Sequence, residues 1–271
     1  EKLYMDEIEK FLAEVDSNIE SIGNDADLKR KSLNWLDAIV PHKYVYNFSW
    51  MGRPIIQLPQ DIVAVQELIW QVKPDLVIET GIAHGGSLIL TSSMLALLDY
   101  CDAVEENCKL DPKNPKRYVL GVDIDIRKHN YDAIKSHPMS NRIKMIEGSS
   151  VSNEIISKVK KAAAPFKKIM VFLDSNHTHD HVLKELEAYA ELTSIGSYCI
   201  VFDTLIEDVD DKYNLNKPWQ IGNNPKTAVY EFLKNGKAKN ANNLAKFQID
   251  KTIQDKLLIT VAPDGFLRRV R

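Results

Sequence analysis

The residues best equipped for chemistry cluster late in the chain, at Asp174-Ser-Asn-His-Thr-His-Asp-His181 and at Asp203, with Glu207 and Asp208 just beyond. Two carboxylates brought side by side repel unless a proton or a cation sits between them. A hard divalent ion such as Mg²⁺ takes oxygen ligands and keeps waters that a substrate hydroxyl can displace. Such an ion lowers the pKa of the hydroxyl, and a nearby imidazole can take the proton. Asp174 and Asp203 are the carboxylates, and His177, three residues after Asp174, is the candidate base. His179 and His181 are its competitors; His181 is expected to open a helix and pack. The same cluster also reads as a zinc site, or as an iron site of Asp174, His177 and His179.

A second feature lies upstream, Glu79-Thr-Gly-Ile-Ala-His-Gly-Gly-Ser87. Glycines permit unusual dihedrals and close backbone approach, and a helix that follows offers free N–H groups to a carboxylate. The spacing is not that of a dinucleotide site. It suits a cofactor without pyrophosphate, and S-adenosylmethionine carries such a carboxylate. Glu79, Gly81, Gly85 and Ser87 are its candidate ligands. Gly121-Val-Asp-Ile-Asp125 supplies Asp123 for a ribose, with Asp125 read as a helix cap. Glu147-Gly-Ser-Ser150 supplies Ser149 for an adenine edge, with Ser150 as a possible cap, and Asp174 faces the reactive end. Together the two features predict methyl transfer to a hydroxyl.

These residues need a scaffold that gathers them. Short apolar runs at 76–78, 118–122, 143–146, 169–173 and 197–202 alternate with helical stretches, the pattern of βαβ units and a mostly parallel sheet. In such sheets ligands bind beyond the carboxyl ends of the strands, where each motif falls. Two further strands, 257–261 and 266–270, joined by a hairpin turn at Asp264-Gly265, bring the sheet to seven. The predicted fold is α/β, a Rossmann-like class I methyltransferase domain over residues 56–271. Residues 1–55 form an N-terminal helical extension and substrate lid. Its helices cover 4–22 and the stretch after Asp25, and a third helix runs from Pro59 to about Val72. Tyr46, Trp50 and Arg53, with Trp219 in the long connection 205–225, are candidate substrate contacts.

With 271 residues, 44% hydrophobic and 27% charged, the chain suits a globular protein. A net charge of -3 gives no electrostatic case for nucleic acid, and the short basic runs are read as solvated faces. Cys101, Cys108 and Cys199 show neither metal spacing nor an even disulfide framework, which points to a reducing, cytoplasmic setting. No apolar stretch is expected to span a membrane. The apolar stripe of the N-terminal helices suits a homo-oligomer.

Five segments carry a resemblance: Gly52-Arg-Pro-Ile-Ile-Gln-Leu-Pro59, the 79–87 loop, Gly121-Val-Asp-Ile-Asp-Ile-Arg127, Asp174-Ser-Asn-His177 and Pro263-Asp-Gly-Phe-Leu-Arg268. They resemble the cephalosporin hydroxylase / rhamnosyl O-methyltransferase family over roughly residues 40 to 271. The resemblance implies S-adenosylmethionine-dependent O-methylation, Mg²⁺-assisted, on a saccharide or other natural product. It implies Asp174 as a metal ligand and His177 as base. It also implies two adjacent acids at the end of the fifth strand, where this chain has Phe202-Asp203. The missing ligand falls to Glu207 or Asp208, if either folds back. The other readings are a metal-dependent hydroxylase or hydrolase and a non-catalytic nucleotide-binding module.

Overall fold

The computed structural model describes residues 2–210, 216–238 and 245–271. Two helices open it, α1 (Lys2–Asn24) and α2 (Ala26–Ile39), the second capped by the Asp25 carboxylate, which accepts from the Leu28 N–H. A short antiparallel hairpin follows, β1 (Phe48–Trp50) and β2 (Arg53–Ile55). Helix α3 (Pro59–Val72) starts and stops where the sequence predicts. Proline suits its first turn, and left-handed Lys73 ends it before Pro74.

The sheet contains β3 (Leu76–Thr80), β4 (Tyr118–Asp123), β5 (Ile143–Glu147), β6 (Ile169–Leu173), β7 (Tyr198–Val201), β8 (Phe247–Ile249) and β9 (Phe266–Arg269), in the order β5-β4-β3-β6-β7-β9-β8. The first five are parallel, and β9 runs antiparallel to β7 and β8. This is the Rossmann-like methyltransferase arrangement. Alternation along the strands divides the core. Val77, Met170 and Phe172 face α3 and α4 (Gly86–Glu105), while Leu76, Ile78, Val171 and Leu173 face α6 (Asn153–Ala163), α7 (His179–Tyr189) and α8 (Pro225–Ala238). Each such fully buried side chain contributes about 1.5–3 kcal/mol of transfer free energy.

The strand predicted over 257–261 is absent. Asp250 caps a helix, α9 (Lys251–Leu257), whose last residue Leu257 packs on the core together with Val261 of the irregular segment that follows. That segment is held by buried Asp61 of α3, which accepts from Thr260 Oγ1 and from the Val261 N–H at 2.9 Å. The true edge strand is β8, only three residues long. Asp264-Gly265 is therefore not a hairpin turn between neighbouring strands. It brings β9 against β7, and a Cβ on Gly265 would lie 2.1 Å from the Val201 carbonyl oxygen.

Helix caps also differ from expectation. Arg127, not Asp125, occupies the N-cap position of α5 (Lys128–Ser136), without a side-chain bond, and Ser152, not Ser150, caps α6. Helix α7 begins two residues before His181. Helix α4 continues past residue 98 to Glu105 and, by length and composition, is apolar enough to cross a membrane. Here Leu88, Ile89 and Leu95 are fully buried in the core. Part of the 205–225 connection, residues 211–215, lies outside the described residues.

Candidate active site

Strand β3 ends in Glu79 and Thr80, and the chain then turns through Gly81 (φ 89°), Ala83 (φ 45°) and Gly85 (φ 81°) into α4. Gly81 is required by contact as well as dihedral, because a Cβ there would stand 2.0 Å from the Asp174 carbonyl oxygen. The Asp174 N–H donates to the Thr80 carbonyl at 3.0 Å. The loop after β3 and the tip of β6 are thus packed backbone to backbone.

Glu79 is buried, and its Oε1 accepts from Ser87 Oγ. Among the described residues its Oε2 has no partner, nor has Gln57 Oε1, and both residues line one narrow cavity with Asp61, Ser87, Asp174 and Phe202. An adjoining cavity shares Gln57, Ser87 and Asp174 and adds Gly81, Ile82 and His84. Burial pushes the Glu79 carboxyl up to about 7 against Ser87, which lowers it. Burial likewise raises Asp61 to about 7.

The native state therefore holds a proton on Glu79 that the unfolded chain, with its ordinary carboxyl near 4.5, has released by neutral pH. Stability from this group is fully present below pH 4.5 and is lost as pH rises through about 7. Glu79→Gln removes the charge but keeps the shape. Its melting temperature should exceed wild type at pH 8.5 and approach it at pH 5.5. An unchanged pH slope in paired thermal melts would contradict this.

At the tips of β6 and β7 one ligand atom each from Asp174, His177 and Asp203 lie within 4.8 Å of one another. His177 Nε2 stands 3.2 Å from Asp203 Oδ2. Asp203 takes a left-handed backbone (φ 55°) to turn into the cluster. Burial, then the neighbouring Asp203, Glu79, Glu185 and Asp61, holds the Asp174 carboxyl well above the usual range. The Trp219 ring meets the His177 ring edge-on, centroids 4.7 Å apart.

Several predicted site residues stand elsewhere. Glu207 does not fold back: its Oε2 accepts from the Gly222 N–H at 2.8 Å and from Asn224 Nδ2, shaping the turn before α8. Asp208 pairs with Lys226. Phe202 is buried against Phe172, so the β7 tip gives the cluster one acid, not two. His179 lies 2.8 Å from Thr227 Oγ1 and 3.1 Å from Glu231, and His181 lies 3.1 Å from both Ser150 and Ser175. Among the described residues neither the histidine-rich zinc site nor the Asp174–His177–His179 iron site is assembled.

Trp50 donates to Ser93 Oγ at 3.0 Å and packs on the core, so it is an anchor and not a sugar platform. Arg53 donates to the His84 carbonyl in the loop after β3 and to Asn130 Oδ1. Tyr46 is 59% exposed on the turn before β1. Asp123 is not a free strand-end acid, because its Oδ2 accepts from the Ile82 N–H at 2.7 Å and the Ala83 N–H at 3.3 Å. Ser149 sits half-buried after β5, at the strand tip next to Asp123. Gln57, Asp61 and Asn130 escaped the sequence reading. Only Gln57 carried a signal, its place in the Gly52–Pro59 segment.

The sequence pattern of the Rhamnosyl O-methyltransferase/CmcI family matches residues 42–270. A rhamnosyl O-methyltransferase of Mycobacterium bovis is 27% identical over 239 residues, 84% of this chain and 83% of that one. Another, from Mycobacterium leprae, is 26% identical over 170 residues, 60% of this chain and 66% of that one. An apo structure of CmcI shares the fold, with a TM-score of 0.51 and 16% identity over 83% of this chain and 77% of that one. With the pattern spanning the hairpin, the glycine loop and both acid-bearing strand tips, the chain belongs to the Rhamnosyl O-methyltransferase/CmcI family.

Proposed function

We propose that the chain transfers a methyl group from S-adenosylmethionine to a sugar hydroxyl with the help of a divalent cation. The observation that carries this reading is the double role of Asp174, which lines the cofactor cavities and belongs to the three-residue cluster. The site fits the cofactor. Two buried oxygens without partners among the described residues, Glu79 Oε2 and Gln57 Oε1, face one cavity and suit an ammonium donor, whose positive charge would favour the ionised Glu79. Glu79, Gly81, Gly85 and Ser87 would hold its amino-acid end, Ser149 its adenine, and Asp123 its ribose through Oδ1, since Oδ2 holds the Ile82 and Ala83 N–H groups. The cluster fits a cation, since Asp174 and Asp203 are mutually repelling carboxylates. Mg²⁺ suits two oxygen donors with waters completing the shell.

Bound S-adenosylmethionine supplies the electrophilic methyl, and a bound cation supplies Lewis acidity that lowers the hydroxyl pKa. The protein does the rest. Asp203 fixes the His177 ring through Nε2, leaving Nδ1 to receive the hydroxyl proton. Trp219 closes one side of His177 and offers an apolar edge against which a sugar face can pack and water is excluded. The mycobacterial relatives, which are rhamnosyl O-methyltransferases, support a rhamnosyl acceptor. The free thiols Cys101, Cys108 and Cys199 support a cytoplasmic setting, and the exposed Ile8, Phe11 and Leu12 of α1 support self-association.

Calorimetric titration with S-adenosylmethionine should give saturable binding. Mass spectrometry of rhamnosyl acceptors should show the gain of one methylene unit, lost with EDTA and restored by Mg²⁺. No cofactor binding would sink the reading, and turnover indifferent to EDTA would remove the cation from it.

A further inference from the structure

We infer that Arg53 is a positioning residue of the cofactor loop, and that the β1–β2 hairpin exists in part to deliver it; this rests on the cofactor reading above. The loop between β3 and α4 holds an unfavourable shape, with Gly81, Ala83 and Gly85 all in the left-handed region. For Ala83 that dihedral is disfavoured by its Cβ, so the surroundings must impose it. They do so from two sides. Asp123 takes the N–H groups of Ile82 and Ala83. On the opposite side Asn130 Nδ2 donates to the Ala83 carbonyl at 2.9 Å. Arg53 donates to the His84 carbonyl through Nε at 3.0 Å and through Nη2, which also donates to Asn130 Oδ1 at 3.1 Å. Every peptide group from 82 to 84 is therefore gripped by a named side chain.

The hairpin that carries Arg53 is itself fixed. The Met51 carbonyl lies 3.0 Å from His137 Nε2, and Trp50 donates to Ser93 of α4. Gly86, the first residue of α4, lies so close to the hairpin that a Cβ would stand 2.2 Å from the Pro54 carbonyl oxygen. The guanidinium thus sits beside the start of α4, whose first-turn N–H groups have no intrahelical acceptors. It holds the His84 carbonyl and adds positive charge next to the loop and the start of α4, the helix end that would meet a cofactor carboxylate. Arg53 acts through the loop and touches no substrate.

The test is calorimetric binding of S-adenosylhomocysteine to wild type, Arg53→Ala, Arg53→Lys and Asn130→Ala, with steady-state kinetics alongside. Arg53→Ala should weaken binding about 10- to 100-fold, the loss of charge-assisted hydrogen bonds. At saturating S-adenosylmethionine its kcat should stay within about threefold of wild type, with acceptor KM unchanged. Arg53→Lys, which can serve one carbonyl but not the fork, should recover part of the affinity, and Asn130→Ala should lose affinity in the same direction. Unchanged binding in Arg53→Ala, or a rise in acceptor KM in its place, overturns the inference. A wild type that does not bind S-adenosylhomocysteine overturns the cofactor reading itself, and so the two failures are told apart.

Discussion

Asp174→Asn should cut methyl transfer by about 10³-fold or more while leaving the protein folded and, at pH 8 without added metal, more stable than wild type. The two halves of this result come from one fact. Burial and the surrounding Asp203, Glu79, Glu185 and Asp61 raise the Asp174 carboxyl well above its ordinary range. A raised folded-state pKa means that the native protein carries a cost once pH exceeds that value, and stability falls as pH rises through it. Asparagine removes the charge at nearly constant shape, and its backbone N–H can keep the bond to Thr80. A residue placed for packing would show the opposite, a lower melting temperature with turnover largely retained. The readouts are single-turnover methyl transfer and thermal melts with and without Mg²⁺. Wild type should be stabilised by the cation and the variant should not. A variant that retains both turnover and the Mg²⁺ shift would remove Asp174 from the site.

Asp99→Ala should destabilise the fold by about 3–5 kcal/mol, a melting-temperature drop of roughly 8–15 °C, with little effect on the kinetics of molecules that remain folded. Asp99 of α4 is 3% exposed and bridges two guanidiniums, Arg117 before β4 and Arg142 before β5. Arg117 reaches Asp102 as well, at 2.7 Å. Removing the central carboxylate leaves Arg142, 4% exposed, with a buried charge and no counterion among the described residues. The damage is confined to the amino ends of these strands, the end of the sheet opposite the active site. Urea melts give the free energy. A loss below about 1 kcal/mol would mean that water or Asp102 takes over the charges.

The parts of this protein legible in its sequence are those governed by local periodicity. The apolar runs at 169–173 and 118–122 predict β6 and β4 to within a residue, and Pro59 marks the start of α3. Strand tips then follow from topology, which is why Glu79 and Ser87 are found in contact and Asp174, His177 and Asp203 in one cluster. What was not legible depends on partners far away in sequence. The run 257–261 has strand composition, but Asp61, about 200 residues earlier, bonds its backbone into an irregular path. Glu207 has the right chemistry for a metal and is claimed by the turn at 222–224. Arg53 and Trp50 are of types that bind sugars and phosphates, and residue type carries no information about which way a side chain points. Asn130 gave no signal, because an amide on a helix face is ordinary until a loop carbonyl is seen beside it.

The direct contact between Gly81 and the backbone of Asp174 leaves no slack between the two halves of the site. If cofactor and cation are felt through that contact, thermodynamic linkage makes the influence mutual: whatever factor the cation adds to cofactor affinity, the cofactor must return to cation affinity. Saturating either ligand would then sharpen the titration curve of the other, and the demethylated product, which keeps the amino-acid end, would hold the ion in place for the next turnover.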